Sequence, residues 1–442
     1  MRWISILLFA ASIARADTYA LRGTLVTPDE VIENGVLVVT DGVITAAEAN
    51  AAVPDDVRVI DTGGFIYPGL IDLHNHLTWN AHPHWSPGAL MRNRYEWQAT
   101  DLYAVGLRGP QSKMFAAAAC DLEHFAEVKS LVWGGTSTTG SLYQDCSRGL
   151  ARNLDYASGF DVPPVQYRIF PIELRPDDEK SVRDALAAQN PVIAHLCEGI
   201  DASAARELRQ ARAHGFLTKG FIIIHGVPLV EKDFQELGKN GVGFVWSPRS
   251  NIELYGKTAD VAAAKKYVTI AIAPDWSPSG SNGMIEEMRY AAIWSDAQFP
   301  PVFTMKELVQ MATVNPAKLV RLDEKVGRLA KGLAADYIVV RRGARPAYDA
   351  LIYATHDDML LVAVGGRPLY GDAELMRNVN PSARVESLSV CGAQKGVDTS
   401  ETSATWADTM KNLDTAFASF SLPMAGLAEC PLISQPSTHC HP

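Results

Sequence analysis

The sequence predicts an α/β protein: a (β/α)8 barrel with a small β-sandwich unit built from segments at both ends of the chain. Three observations carry this. Between about residues 100 and 340, apolar runs alternate with helix-like segments, the texture of parallel strands joined by crossover helices. Several of those runs end in an ionisable residue, and strand ends are where a barrel collects its chemistry. Short, turn-punctuated β segments lie outside this region, from Tyr19 to about Gly63 and again beyond Val326. A chain of 442 residues can hold one large barrel and a smaller unit. The expected division is 1–16, a signal peptide; 17–66, the first part of the sandwich; 67–320, the barrel; 321–380, the rest of the sandwich; and 381–442, a tail.

The leader is read from Arg2, the mostly apolar Trp3 to Ile13, and Ala14-Arg15-Ala16, a small-x-small cleavage site. Cleavage after Ala16 removes Arg2 and Arg15 and no acid, which takes the formal charge from −10 to −12. The mature protein is then expected in the periplasm or outside the cell. No other stretch approaches the ~20 apolar residues of a membrane span. The negative charge and the lack of any Lys/Arg run argue against a nucleic-acid surface. The six cysteines form no C-x-x-C, which excludes a zinc ribbon or a redox motif. In an oxidising compartment some would be bridged. Cys391 with Cys430 would clip the tail, and Cys120 with Cys146 is a second pairing. Six cysteines permit fifteen complete pairings, so the connectivity stays open.

In the first β segment, Val36 to Val39, Asp41-Gly42 and Val43-Ile44 read as a hairpin with a tight primed turn. Next comes Tyr67-Pro68-Gly69-Leu70-Ile71-Asp72-Leu73-His74-Asn75-His76-Leu77. Pro68-Gly69 marks a turn, and Leu70 to Leu73 reads as a buried strand. Residues i and i+2 of a strand share a face, so His74 and His76 can aim two imidazoles at one point. Neutral imidazole is a common Zn²⁺ ligand, and a catalytic site needs further ligands plus an open position. The loop that follows is rich in aromatics, with Trp79, Trp85, Tyr95 and Trp97. They either line a pocket or pack as a lid. His82 and His84 repeat the H-x-H spacing but lie on no strand, and they read as loop residues.

Further along, Val192 to His195, Phe221 to His225 and Val242 to Ser247 read as strands with polar tips, and Val268 to Ala273 runs into Pro274-Asp275. His195 is followed by Glu198. One strand-end histidine is ordinary scaffolding, whereas several in register with successive strands point to a site. Arg249 and Asn251, after Ser247, would either bind substrate or brace their loop. Thr405 to Phe420 carries apolar residues at helical spacing and should dock as an amphipathic helix. His439-Cys440-His441 is read as a frayed end.

The run Pro68-Gly69-Leu70-Ile71-Asp72-x-His74-x-His76, then His195-x-x-Glu198, His225-Gly226, Ser247-Pro248-Arg249-Ser250-Asn251 and a strand leading to Asp275 resemble the amidohydrolase superfamily. Within it, the likeness is to the deaminase and triazine-hydrolase branch, and it covers about residues 20–375. The resemblance implies one divalent ion, Zn²⁺ or else Fe²⁺, held by His74, His76, His195 and Asp275. It also implies proton transfer and substrate polarisation by Glu198 and His225. The strand Val165 to Ile172 contains no lysine to bridge a second metal. Relatives often have Gly-Thr-Asp-Gly at Asp275; here Trp276 follows and would reshape the pocket.

Chemistry agrees with those roles. A divalent ion lowers the pKa of bound water; Asp275 can accept a proton, Glu198 can carry one to a leaving nitrogen, and His225 can donate to the substrate. The leading expectation is hydrolysis of a non-peptide C–N bond in a small molecule, by deamination of an azaheterocycle or opening of a cyclic amide. The runner-up is an amide, carbamate or ester in a xenobiotic or secondary metabolite. A non-catalytic metal-binding or ligand-binding barrel is the third reading, and Glu198 counts against it because storage has no use for a non-ligand acid. Trp79, Arg249, Asn251 and Trp276 are the candidate substrate contacts, and a homo-oligomer is left open.

Overall fold

The computed structural model describes residues 18–430 apart from 142–145, 147–148, 157 and 169–171. The proposed leader, His439-Cys440-His441 and part of the strand expected over Val165 to Ile172 therefore fall outside the described residues. The chain is α/β, with two sets of strands that do different work.

One set binds the two ends of the chain together. Nine strands lie in the order Val385–Val390, Ala393–Asp398, Arg367–Gly371, Met359–Val364, Tyr337–Arg341, Arg58–Pro68, Thr18–Val26, Val31–Thr40, Val43–Ala49. The seam between N-terminal and C-terminal segments is Arg58–Pro68 against Tyr337–Arg341, paired antiparallel. Leu21, Leu37, Ile66, Tyr337, Val339 and Leu361 form part of its buried core. The sandwich expected from the sequence is, by hydrogen bonding, one continuous sheet. Val385–Val390 and Ala393–Asp398 lie in the stretch read as a tail, and they add an edge hairpin to that sheet.

The other set positions the site. Eight strands follow one another in parallel among the described residues: Leu70–Asp72, Gly135–Thr138 and Arg152–Asn153 in one ladder; Gln166–Arg168, Val192–Leu196, Phe221–His225, Gly243–Trp246 and Ile270–Ile272 in another. The ladders approach each other at both edges. Val165 N–H donates to the Leu154 carbonyl at 2.9 Å, and Asp275 N–H donates to the His74 carbonyl at 2.9 Å. Strand alternation sorts the side chains. Ile193, Ile222, Ile224, Val245 and Ala271 share an inner cluster, while Val192, Ala194, Phe221, Ile223 and Phe244 pack outward under the helices. Burial on both faces is what makes these strands read as continuous apolar runs.

The helix Trp406–Ser419 forms as its apolar spacing predicts, with Thr405 capping its start. It packs on the long helix Gly109–Val132, where Phe125 stacks against Trp406. Beyond it, Ala425 N–H donates to the Ala81 carbonyl at 2.8 Å, and Trp133 Nε1–H donates to the Leu427 carbonyl at 3.0 Å. Disulfides join Cys391 to Cys430 and Cys120 to Cys146, while Cys197 is buried and unbridged. No helix among the described residues is long and apolar enough to cross a membrane.

The Cys391–Cys430 bridge closes a segment with a sequence separation of 39 and fastens the end of the tail to the edge hairpin. Loops of this size stabilise by about 2–4 kcal/mol through the unfolded chain. The double variant Cys391→Ala/Cys430→Ala should lose about that much unfolding free energy in urea titrations.

Candidate metal centre and active site

Each arm of the site is aimed by a local device. Asp72 accepts the His74 backbone N–H at 3.0 Å and the Asn75 side-chain amide at 2.7 Å, which turns the chain so that both histidines leave the strand end together. Asn80 ties this loop to the one after Asp275: its Nδ2 donates to Asn75 Oδ1 at 2.8 Å and its Oδ1 accepts Ser277 N–H at 2.9 Å. The buried Lys129 donates to the Asn80 carbonyl at 3.1 Å. Gly140 passes so close that a Cβ there would sit 1.9 Å from the Asn75 carbonyl oxygen, and its φ of +88° also favours glycine.

Three non-glycine residues at the strand ends sit in the left-handed region: Cys197 (φ 58°), His225 (φ 72°) and Asp275 (φ 70°). Such conformations cost on the order of 1–3 kcal/mol each and persist where surrounding contacts impose them. At His225 the benefit is visible. Ile222 and Ile224 face the inner cluster, so plain alternation would send residue 225 outward. The backbone turn instead brings its ring to 4.8 Å from that of His74. At Cys197, the N–H is held by Glu207 Oε2 at 2.6 Å, and Glu207 in turn pairs with the buried Arg94 at 3.0 Å.

Four donor atoms converge. His74 Nε2 lies 3.1 Å from His195 Nε2 and 3.1 Å from Asp275 Oδ1; His76 Nε2 lies 3.2 Å from His195 Nε2 and 3.4 Å from Asp275 Oδ1. In a tetrahedral zinc site with bonds of about 2.0–2.1 Å, neighbouring donors stand roughly 3.3 Å apart. The outer nitrogens decide which atoms face inward. His195 Nδ1 must donate to the Arg168 carbonyl, 3.2 Å away, so its Nε2 presents a lone pair to the other histidines. His74 Nδ1 is held by Ser247 Oγ at 2.7 Å. Burial, then neighbouring imidazoles, pushes His74 and His195 well below the ordinary histidine range, so both imidazoles are neutral. Burial raises the Asp275 carboxyl, while His76 and His225 oppose that rise. A divalent cation would reverse that preference and favour the carboxylate. The donor set therefore fits such an ion. His225 also stands with His74 and His195 in a second candidate cluster, so the geometry alone does not restrict binding to the four.

Above these donors lies a cavity of ≈ 150 Å³. Its floor is His76, His195, Glu198, His225 and Asp275, and its walls include Trp79, Trp97, Tyr103, Leu254 and Trp276. Glu198 Oε2 is 3.6 Å from His225 Nε2, and His225 Nδ1 is held by Asn251 Oδ1 at 2.9 Å. His225 Nε2 is thus the ring atom that faces Glu198 and the cavity.

Of the residues singled out from the sequence, His74, His76, His195, Glu198, His225, Asp275, Trp79 and Trp276 come together here. Arg249 and Asn251 do not line the cavity. Arg249 Nε bonds Glu253 at 2.8 Å and its Nη1 pairs with Glu286 at 3.3 Å, while Asn251 orients His225 and donates to Thr258. Substrate binding is therefore replaced by bracing for Arg249 and by support of His225 for Asn251. His82 and His84 bond Gln111 and Glu253, in loops as expected. Sequence reasoning missed Ser247 and Tyr255 as partners of His74 and Glu198. The faint signal for Tyr255 was its place one helical turn after Asn251 in Pro248–Tyr255.

Residues 179–369 match the model of the amidohydrolase family. A 5-methylthioadenosine/S-adenosylhomocysteine deaminase of Caldicellulosiruptor saccharolyticus is 30% identical over 173 residues, 37% of this chain; the aligned stretch spans 40% of that relative's length. A protein of the same name from Syntrophobacter fumaroxidans is 25% identical over 82% of this chain and 95% of its own length. The structure of a zinc-bound adenosine deaminase from Xanthomonas campestris superposes with a TM-score of 0.69 at 17% identity, covering 91% of this chain and 98% of that one. At that identity it speaks to the fold.

Outer-shell partners of metal-bound histidines typically contribute 10–100-fold to affinity. Ser247→Ala, which frees His74 Nδ1, should weaken zinc binding by about that factor in competition against a chromophoric chelator, with the circular dichroism spectrum unchanged.

Proposed function

We propose that the protein is a metal-dependent hydrolase of a non-peptide C–N bond, which removes an amino group from a flat azaheterocycle or opens a cyclic amide. The observation that carries this reading is the meeting of four donor atoms, three of them on the floor of one aromatic-walled cavity, with a non-ligand acid, Glu198, on that same floor. The names of the relatives point the same way. In this reading the eight parallel strands work as a closed (β/α)8 barrel, with the nine-stranded sheet as the sandwich unit beside it.

His74, His76, His195 and Asp275 would hold one divalent ion, zinc by preference and ferrous iron as the alternative. Bound there, it supplies Lewis acidity that lowers the pKa of water toward neutrality. The protein's own groups do the rest. Glu198 carries a proton to the departing nitrogen, which must be protonated to leave. His225, held through Asn251, donates from Nε2 to the substrate atom on which negative charge develops. Trp79 and Trp276, 5.2 Å apart and edge to face, offer ring surface to a planar substrate. The enzyme is also proposed to be exported, and the two disulfides support this because such bonds persist in oxidising compartments.

Elemental analysis of protein purified without chelator should approach one divalent ion per chain, and a steady value near two would oppose the four-ligand assignment. The metal-loaded protein should release ammonia from an aminated azaheterocycle in a panel that also holds cyclic amides, amides and esters; ester cleavage alone would overturn the C–N reading. Glu198→Gln keeps the shape but loses the proton, so turnover should fall by ~10²–10⁴-fold with the metal retained. Asp275→Ala should lose both metal and turnover. The reverse pattern would exchange the two roles.

A further inference from the structure

Glu198 has one oxygen turned to the chemistry and one turned away from it. Oε2 faces His225 Nε2, and Oε1 accepts the phenolic O–H of Tyr255 at 2.6 Å. Tyr255 is the last residue of Pro248–Tyr255 and is 2% exposed. Its oxygen accepts the indole N–H of Trp97 at 2.8 Å. With that acceptor site filled by an N–H, the phenol's own proton goes to Glu198. Burial, then the Glu198 carboxylate, raises the phenol well above the ordinary tyrosine range, so the proton stays on it. A 2.6 Å contact falls in the range of charge-assisted O–H···O⁻ bonds. Trp97 belongs to Arg94–Gln98, part of the segment that walls the cavity, and Arg94 N–H donates to the Glu198 carbonyl at 3.2 Å.

We infer that Tyr255 is a positioning residue, fixed by Trp97, that holds the Glu198 carboxylate by Oε1 so that Oε2 is the oxygen presented to His225 and the cavity. The inference rests on the reading of Glu198 as the proton carrier. Proton transfer needs heavy atoms at about 2.6–3.2 Å. A carboxylate free to rotate about its side-chain bonds spends most of its time outside that window. Tyr255 itself touches no reacting atom, so its loss should slow the chemical step and leave substrate binding alone.

The test uses the zinc-loaded full-length protein in three forms: wild type, Tyr255→Phe and Trp97→Phe. Crystal structures should show one Glu198 side-chain position in wild type, a displaced or split one in Tyr255→Phe, and a smaller displacement in Trp97→Phe. Glu198 unmoved in Tyr255→Phe overturns the inference, and this arm needs no substrate. In ammonia-release assays on the azaheterocycle that wild type turns over fastest, Tyr255→Phe should lose roughly 10–100-fold in kcat, the scale of small misplacements of a reacting group. KM should stay within about twofold and zinc content should be unchanged. A displaced Glu198 with undiminished kcat, or a loss confined to KM, also overturns it. If wild type is active but Glu198→Gln is as fast, the proton-carrier reading has failed, a result distinct from any failure of the clamp.

Discussion

The structure depends on keeping four donor atoms together in a largely buried site. His74 is fully buried, His195 and Asp275 are nearly so, and their donor atoms stand 3.1 Å from His74 Nε2. Neutral imidazole lone pairs and a carboxylate do not attract one another at such range. Under the proposed function a shared cation makes the grouping favourable, and the surrounding contacts hold the donors in place for it. That requirement accounts for the Asp72 turn, the Asn80 bridge anchored by buried Lys129, the Ser247 and Arg168 contacts on the outer nitrogens, and left-handed backbone at His225 and Asp275. The left-handed backbone spends stability to place an atom.

What the sequence disclosed was what is local along it. H-x-H after Pro68-Gly69 and the ionisable tips at His195, His225 and Asp275 are short-range patterns, because strand alternation and strand ends are written in adjacent residues. What it concealed depends on partners far along the chain. Ser247 meets His74 across 173 positions and Tyr255 meets Glu198 across 57. Neither residue type announces such a contact. Arg249 misled because a cation in an active-site loop resembles a substrate anchor, until Glu253 and Glu286 are seen to occupy it. The hairpin at Val385–Asp398 escaped notice because its exposed edge strand, with the pattern Val-Glu-Ser-Leu-Ser-Val, buries little apolar surface. The fold was thus readable as an ordered series of strands, and the site as a set of tips, but the hydrogen-bond scaffold behind the tips was not.

The same scaffold explains the uneven polarity of the cavity. Its tryptophans present ring surface while at least two indole N–H groups are engaged elsewhere: Trp97 with Tyr255, and Trp276 with Ser279 Oγ at 2.5 Å. Polarity is left to the floor. In such a setting a charge on Glu198 or a developing charge near His225 acts with little dielectric competition. Under the proposed function, a planar ring lies against the walls without asking them for hydrogen bonds, and the floor sets its orientation.

The wall segment and the acid are also mechanically one unit. Asn93 bridges to Gly199, Asn93 Nδ2 donates to Asp201 at 2.7 Å, Arg94 N–H donates to the Glu198 carbonyl, and the Arg94 guanidinium pairs with Glu207, which holds Cys197 N–H. These contacts straddle Glu198 on both sides in sequence. Any movement of Arg94–Gln98 that opens the cavity must therefore pull on the backbone around Glu198 and on the Trp97 contact to Tyr255. The same segment also touches the donor cluster: the Arg94 guanidinium donates to the His195 carbonyl at 3.4 Å, and the Trp97 ring lies 5.9 Å from that of Trp276, which in turn lies 5.5 Å from that of His76. Wall, acid and donor cluster are therefore braced by one network of contacts, so that under the proposed function a change in any of the three is felt by the other two.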